Sequence, residues 1–446
     1  MRYLLNMVMT IIFAAIVFAH ISPLKAQNTS GSPLQTGDSI TLDKYISAVV
    51  ENHPAVKEAE EALNAAGMRI RLAQSGFLPN LDLSASYSHI GPVSSIDIPV
   101  FGSIQLYPEN NYSAAVNLKQ SIYDFGRTSK EVAFQKESRN MVSISLDEAR
   151  QKLSMAAITN YFTLVYLQQA VAIKNEQLKT LQEHLDFINK KNETGSSTKY
   201  EILTTEVKIS AVQSQLTDIE IAVSNQHAVM NSLLGLPENT ACAVKPDLNI
   251  KEYTVNPDSM VAFALNRRNE MRNASEKITL AELHYKIERT KYYPVISLYA
   301  SGGGKNGYIP DMNKWTFNYV AGVGLNIPLF DGSRTLNNIK LAGSSITTSR
   351  LDKEIQGRAI AGEVIENKNN LAASNRKISQ FEMQLKQAEQ AYSLAQINYA
   401  AGAITNLDLL DASTQVAESR LLLLKARIDG IMNVYKLKYA LGDKLY

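Results

Sequence analysis

The chain is written twice. Residues 191–203 read KNETGSSTKYEIL and residues 398–410 read NYAAGAITNLDLL, so Gly195, Thr198, Glu201 and Leu203 fall on Gly402, Thr405, Asp408 and Leu410. The same displacement, about 207 residues, carries Leu234-Gly235 onto Leu441-Gly442, and to within one residue it carries Tyr123-Asp124…Gly126 onto Phe330-Asp331-Gly332. Phe77-Leu78-Pro79 matches Tyr292-Tyr293-Pro294 at a displacement of about 215. A displacement kept over so much of the chain makes two duplicated halves, and whatever one half folds into the other must also accommodate.

Each half follows the same order of patterns. A helix is predicted over residues 41–74 and again over 258–292, closed by Pro79 and Pro294. Two extended segments follow in each half, 81–88 and 112–119 in the first and 296–301 and 317–326 in the second. Their period-two alternation gives one apolar and one polar face. After an Asp/Gly turn, residues 128–191 and 334–399 run without proline, about 96 and 99 Å as α-helix.

Heptad spacing places Val171, Leu178, Leu181, Leu185 and Ile188 in the phase of Ile378, Leu385, Ala388, Tyr392 and Ala395. The return segments repeat every seven residues at Ile202, Ile209, Leu216, Val223 and Met230. In the second half the seam runs Leu407, Leu410, Thr414, Ala417, Leu421, Leu424, Ile428, Ile431 and Tyr435. Each half therefore carries an antiparallel coiled-coil hairpin with its tip at Gly195 or Gly402. Gly343, Gly357 and Gly362 weaken the middle of the second long helix and predict a bend there. A return helix of about 57 Å and a pre-strand helix of about 51 Å must stack end to end to cover each long helix. The two halves then lie side by side, as a long helical tube with the strands at one end.

The N-terminus reads as an export signal. Arg2 is the positive end, residues 4–19 are apolar apart from Asn6 and Thr10, Pro23 breaks the helix, and Ala26 suits cleavage. The expected organisation is a signal peptide at 1–26, a first repeat at 27–237, a polar linker at 238–257 and a second repeat at 258–446. No later apolar run reaches the length of a spanning helix, which leaves barrel strands open. Lys+Arg 45 against Asp+Glu 43 gives a net charge of +2 and no reason to expect nucleic acid. The single Cys242 cannot form an internal disulfide.

Four strands cannot close a barrel, and in lipid their unpaired edges are prohibitive. If the strands span a membrane, several copies must pool them. Alternation alone fits equally well a soluble amphipathic sheet capping a coiled coil. The export signal and the polar second face favour a water-filled barrel. Tyr87, Tyr112 and Tyr319 suit an interfacial girdle or ordinary packing alike.

The whole mature chain resembles the TolC-like outer-membrane efflux channels. The marks are the duplication, the helix-strand-strand-helix-helix order, Asn52-His53-Pro54, Phe77-Leu78-Pro79, the Asp-Phe-Gly and Phe-Asp-Gly turns, and the segment from Asn398 through Gly402 to Leu407-Asp408-Leu409-Leu410-Asp411-Ala412. The resemblance implies a mainly α fold with membrane β. A trimeric α-helical barrel continues into a shared transmembrane β-barrel in outer-membrane lipid. It implies a homotrimer and a passive exit duct of a tripartite efflux or type I secretion system. The duct docks onto a periplasmic adaptor protein and an inner-membrane transporter, and no cofactor or enzyme activity is implied.

Asp408 and Asp411, at i and i+3, share one face at the start of a return helix, where acids also favour the helix dipole. By resemblance they line the periplasmic constriction, as two carboxylate rings whose mutual repulsion raises the pKa of some members. Tyr399 and Glu201 match residues that hold the closed tip, and Gly195 and Gly402 match glycines presented to the adaptor. The family's arginine is replaced by Ile404, so an ionic latch is either missing or supplied by a cation such as Lys199.

Enzyme readings fail. Residues 302–307 satisfy GxGxxG, but Pro310 follows where a dinucleotide site needs a helix. Ser196-Ser197-Thr198-Lys199 satisfies SxxK without its companion motifs. His53, His89, His184, His227 and His284 are scattered, with no metal-ligand spacing. The rival readings are a periplasmic adaptor, which needs one hairpin and many more strands, and a coiled-coil scaffold without a pore.

Overall fold

The computed structural model describes residues 40–99, 102–237, 244–245 and 259–446. The export segment at 1–26, Cys242 and most of the linker at 238–257 lie outside the described residues. Helices α1 (Leu42–Asn52) and α2 (Pro54–Gln74) precede strands β1 (Asn80–His89), β2 (Ser95–Ile98), β3 (Gly102–Gln105) and β4 (Asn110–Tyr123). Helices α3 (Arg127–Glu193) and α4 (Lys199–Leu234) complete the first half. The second half is α5 (Met260–Arg267), α6 (Asn269–Thr290), β5 (Val295–Lys305), β6 (Thr316–Asn326), α7 (Arg334–Ala400) and α8 (Asn406–Leu441). The duplication is metrical: both long helices have 67 residues and both return helices 36.

Two expectations need correction. Each pre-strand helix is broken. Pro54 at the first position of α2 forces His53 into extended backbone, and the His53 imidazole Nδ1 accepts from Ala55 N at 3.2 Å. The second half breaks at Arg268 without any proline; the buried guanidinium pairs with Glu270 at 2.7 Å and with Glu363 at 2.5 Å. The second correction is the β2–β3 hairpin, which forms its own two-stranded sheet beyond the four strands read from the sequence. The second long helix runs unbroken from Arg334 to Ala400, through Gly343, Gly357 and Gly362.

The main sheet is antiparallel in the order β1-β4-β5-β6. Its register sorts the side chains cleanly. One face carries Leu81, Leu83, Ala85 and Tyr87 on β1, opposite Leu118, Val116, Ala114 and Tyr112 on β4. The same face continues through Ile296, Leu298 and Ala300 to Leu325, Val323 and Ala321, and includes Tyr319 and Phe317. The other face is polar, with Asp82, Asn117 and Ser301 hydrogen-bonded in a row across three strands at 3.0 and 2.8 Å. Among the described residues neither β1 nor β6 has a second partner, so the sheet ends in two unpaired edges.

The turns from sheet to long helix explain why the duplicated glycines are one residue out of step. Each turn needs two consecutive left-handed residues, Phe125-Gly126 in one half and Gly332-Ser333 in the other. One glycine per turn suffices, at either position. Asp124 and Asp331 then cap the helices. Each carboxylate accepts from the backbone N and hydroxyl of the threonine four residues on, Thr128 or Thr335, and each carboxyl is held below the ordinary range.

Helix α3 is flanked by α1, α2 and α4 of its own half and by α6 and α8 of the other. Helix α7 meets α5, α6 and α8. The end-to-end stacking demanded by the lengths is realised, with α1 touching α4 and α5 touching α8. Two buried clusters tie the layer together. Met260, Ala264, Ile360, Val364, Leu437 and Leu441 join α5, α7 and α8; Leu181, Ile209, Val212 and Leu410 join α3, α4 and α8. The flanks of the layer stay apolar and open, as Leu341, Ile355, Leu394 and Ile397 on α7 and as Leu72, Tyr200 and Val207 on α2 and α4. No described helix is long and apolar enough to cross a membrane.

Candidate functional site

The two hairpin tips lie together at the end of the helices opposite the sheet. Each long helix ends in a Schellman-type turn. Ser196 N donates to Lys191 O and Ala403 N to Asn398 O, both at 2.8 Å, with Gly195 and Gly402 at φ 71 and 72°. A Cβ added at either glycine meets nothing within 4 Å, so both tips face open space. Thr198 and Thr405 then start the return helices as N-caps.

Glu201 and Asp408 occupy the same position in the two halves, and they have diverged. The Asp408 carboxylate folds back on its own cap, accepting from Thr405 N at 2.9 Å and Thr405 Oγ1 at 2.6 Å. These bonds complete a capping box and hold the Asp408 carboxyl below its ordinary value. Glu201, one methylene longer, reaches out of its helix. Its Oε2 accepts from Tyr399 OH of the other hairpin at 3.0 Å and from Ser197 Oγ at 2.7 Å. Burial first, and then the Glu201 carboxylate, push the Tyr399 phenol up to about 12.

Asp411 is exposed on the same side of α8 as Asp408 and lies 3.6 Å from Lys208 Nζ of α4. A pKa rise within carboxylate rings is an expectation about several copies; in the single chain Asp408 moves the other way, because its partners are donors. Ile404 is half-buried, and Lys199 is exposed in the first turn of α4. The cation beside Tyr399 is Lys191, whose Nζ lies 5.2 Å from the Tyr399 ring centroid and 4.9 Å from that of Phe187.

Two residues that the sequence reading passed over are central. The heptad pattern puts Leu407 in the seam, but Leu407 is 57% exposed and Asn406 is 4% exposed. Helix α8 packs between α7 and α3, so its buried face is wider than a two-helix seam and includes Asn406. The Asn406 amide Nδ2 donates to Glu201 O, Thr204 Oγ1 and Thr205 Oγ1 at 3.1 to 3.3 Å. Its Oδ1 lies 2.7 Å from His184 Nε2 of α3. The available signal was the amide immediately after a capping threonine. His184 offered none beyond its side chain.

The GxGxxG stretch begins inside β5 and passes into a loop, and Ser197 of the SxxK match serves Glu201. Among the described residues no group of three His, Cys, Asp or Glu could hold a metal ion.

A sequence model described as outer membrane efflux protein matches residues 45–236 and 261–443. The alkaline protease secretion protein AprF of Pseudomonas aeruginosa is 24% identical over 90% of this chain and 84% of its own length. The outer membrane protein TolC of Escherichia coli is 22% identical over 88% of this chain and 80% of its own. Among solved structures, the outer membrane protein VceC of Vibrio cholerae superposes with a TM-score of 0.75 at 19% identity, covering 91% of this chain and 97% of that one.

Proposed function

Because this chain belongs to the outer membrane efflux protein family, we propose that three copies of it share one β-barrel in the outer membrane and continue as one α-helical tube across the periplasm. The protein is an outer-membrane channel that extends into the periplasm, of the kind that serves efflux or type I secretion. Its family is one of channels rather than enzymes. In the proposed organisation residues 1–26 are the export signal and the repeats at 27–237 and 258–446, joined by the linker at 238–257, each supply two strands and one hairpin.

The observation that carries a closed ring of copies is the pair of raw edges, and the family sets the proposed number at three. Among the described residues the sheet has free edge strands β1 and β6, and the helical layer has open apolar flanks on α7 and on α2/α4. In hydrocarbon an unpaired strand edge costs several kcal/mol per exposed group, and a head-to-tail ring of copies removes both edges at once. The largely apolar face then meets lipid, with Gln120 on it near one end and His89 and Asn110 near the other, and the Asp82–Asn117–Ser301 face lines water. The strands have 10, 14, 11 and 11 residues, enough to span when tilted.

The tip supplies the narrow end. Asp408 and Asp411, repeated by the symmetry, form the constriction, and Tyr399 with Glu201 holds it. Gly195 and Gly402 are the tips offered to a periplasmic adaptor, which links the duct to an inner-membrane pump. The test is outer-membrane fractionation with planar-bilayer recording. Heat-modifiable trimers that conduct ions are expected; a water-soluble monomer that conducts nothing overturns the reading.

A further inference from the structure

At the tip the second hairpin meets the first through α8, which touches α4 only sparingly and is seated on α3 and α4 by the Leu181, Ile209, Val212 and Leu410 cluster. The polar bonds between the hairpins at the tip converge on a few side chains. Tyr399 reaches Glu201, the Lys208 ammonium of α4 pairs with Asp411, and the Asn406 amide reaches α4 by three hydrogen bonds and α3 by a fourth. Asn406 is also the first residue of α8, two positions before Asp408. Any swing of α8 that carries Asp408 and Asp411 outward must pull this buried amide from its partners.

We propose that Asn406 and His184 are positioning residues of the gate, which fix where the Asp408–Asp411 turn stands and release it when the imidazole takes up a proton. The gate role rests on the channel reading above; the tie between the hairpins does not. Because Nδ2 of Asn406 is committed as a donor to α4, its Oδ1 faces the ring and His184 Nε2 must donate to it. A further proton goes to Nδ1.

Burial and the Lys191 ammonium oppose that charge, while the Asn406 oxygen and the Glu201 carboxylate favour it. From α3 the Lys191 ammonium faces it, from α7 the Tyr399 ring meets it edge-on at 5.3 Å, and from α8 the neutral Asn406 amide contacts it. The one facing carboxylate is Glu201 of α4, already accepting from Tyr399 and Ser197. An imidazolium competes with the Tyr399 hydroxyl for that carboxylate, so protonation strains the Tyr399–Glu201 tie while Nε2–H stays on Asn406. Burial favours the neutral ring and holds its pKa below the ordinary histidine value. The folded-state value is depressed, so the contribution to closure is complete above about pH 6.5 and fades as pH falls below it.

The test is a distance measurement on the full-length chain. In a Cys242→Ser background, Ser196→Cys and Ala403→Cys carry spin labels, co-expressed with excess cysteine-free chain so that an assembly holds one labelled pair. Pulsed dipolar spectroscopy is expected to give one narrow distance at about pH 7.5 that lengthens and broadens at about pH 5. His184→Gln keeps an N–H donor without titrating and should stay narrow at both values. Asn406→Leu should be broad at both. A parent that does not respond to acid, a His184→Gln variant that responds as the parent does, or an Asn406→Leu variant as narrow as the parent overturns the proposal. If the distances behave as expected while no preparation conducts ions, the channel reading falls and the tie stands.

Discussion

The hydroxyl of Tyr399, in the last turn of α7, donates to the Glu201 carboxylate in the first turn of α4, 3.0 Å away and in the opposite hairpin. The bond crosses from one repeat to the other. It exists because equivalent positions in the two halves no longer match: Tyr399 corresponds to Asn192, and Glu201 to Asp408. A symmetrical duplicate would have capped both return helices alike and left the hairpins unlinked here.

Tyr399→Phe removes one charge-assisted hydrogen bond, with an expected loss of about 2 kcal/mol at the tip. The phenol, pushed up to about 12 from 10.0, keeps its proton in the folded state. Its stabilisation is therefore complete below about pH 10 and is lost as pH rises toward about 12. Tip opening followed by hydrogen exchange should accelerate across that window in the parent, and the Phe variant should lack this component.

Asp408→Asn with Asp411→Asn removes the acidic face and leaves an oxygen to accept at the cap, so stability should fall by less than about 1 kcal/mol. Planar-bilayer recording should show weaker cation selectivity and weaker block by multivalent cations. Unchanged selectivity would remove these residues from the constriction.

Gly402→Ala tests the backbone and Gly402→Trp the surface. Both meet open space but must hold φ near 72°, at a cost of about 1–2 kcal/mol. The Ala variant should retain export. The Trp variant should reach the outer membrane as trimers and fail to export; normal export would take this tip out of docking.

Leu83→Arg and Ser84→Arg are neighbours on opposite faces of β1. An arginine on the lipid side costs about 2–4 kcal/mol near mid-membrane, and a lumenal one far less. Trimer yield in the outer membrane should therefore fall for Leu83→Arg and hold for Ser84→Arg. Equal yields would contradict the assigned faces.

Arg268→Ala leaves Glu270 and Glu363 facing each other beside a buried cavity. Because both acids are about a third exposed, the expected loss is about 3 kcal/mol, at the low end for a broken buried pair. Arg268→Lys should recover only part, since one ammonium cannot serve both acids in a forked geometry. The thermal midpoint reads both.

The sequence alone determined the duplicated order of elements, the alternation of all four long strands, the two hairpins and their tip glycines, because these depend on periodicity and turn chemistry among near neighbours. It also placed Asp408 and Asp411 on one exposed face, since three residues of helix fix that angle. Only tertiary structure decided that Asn406 rather than Leu407 turns inward, that Arg268 breaks a helix without proline, and that Glu201 and Asp408 point in different directions. Those outcomes depend on which other helices stand beside a segment, and a helix flanked on two sides buries an arc that heptad spacing does not define. The β2–β3 hairpin escaped the pattern because four-residue strands are too short to show a period.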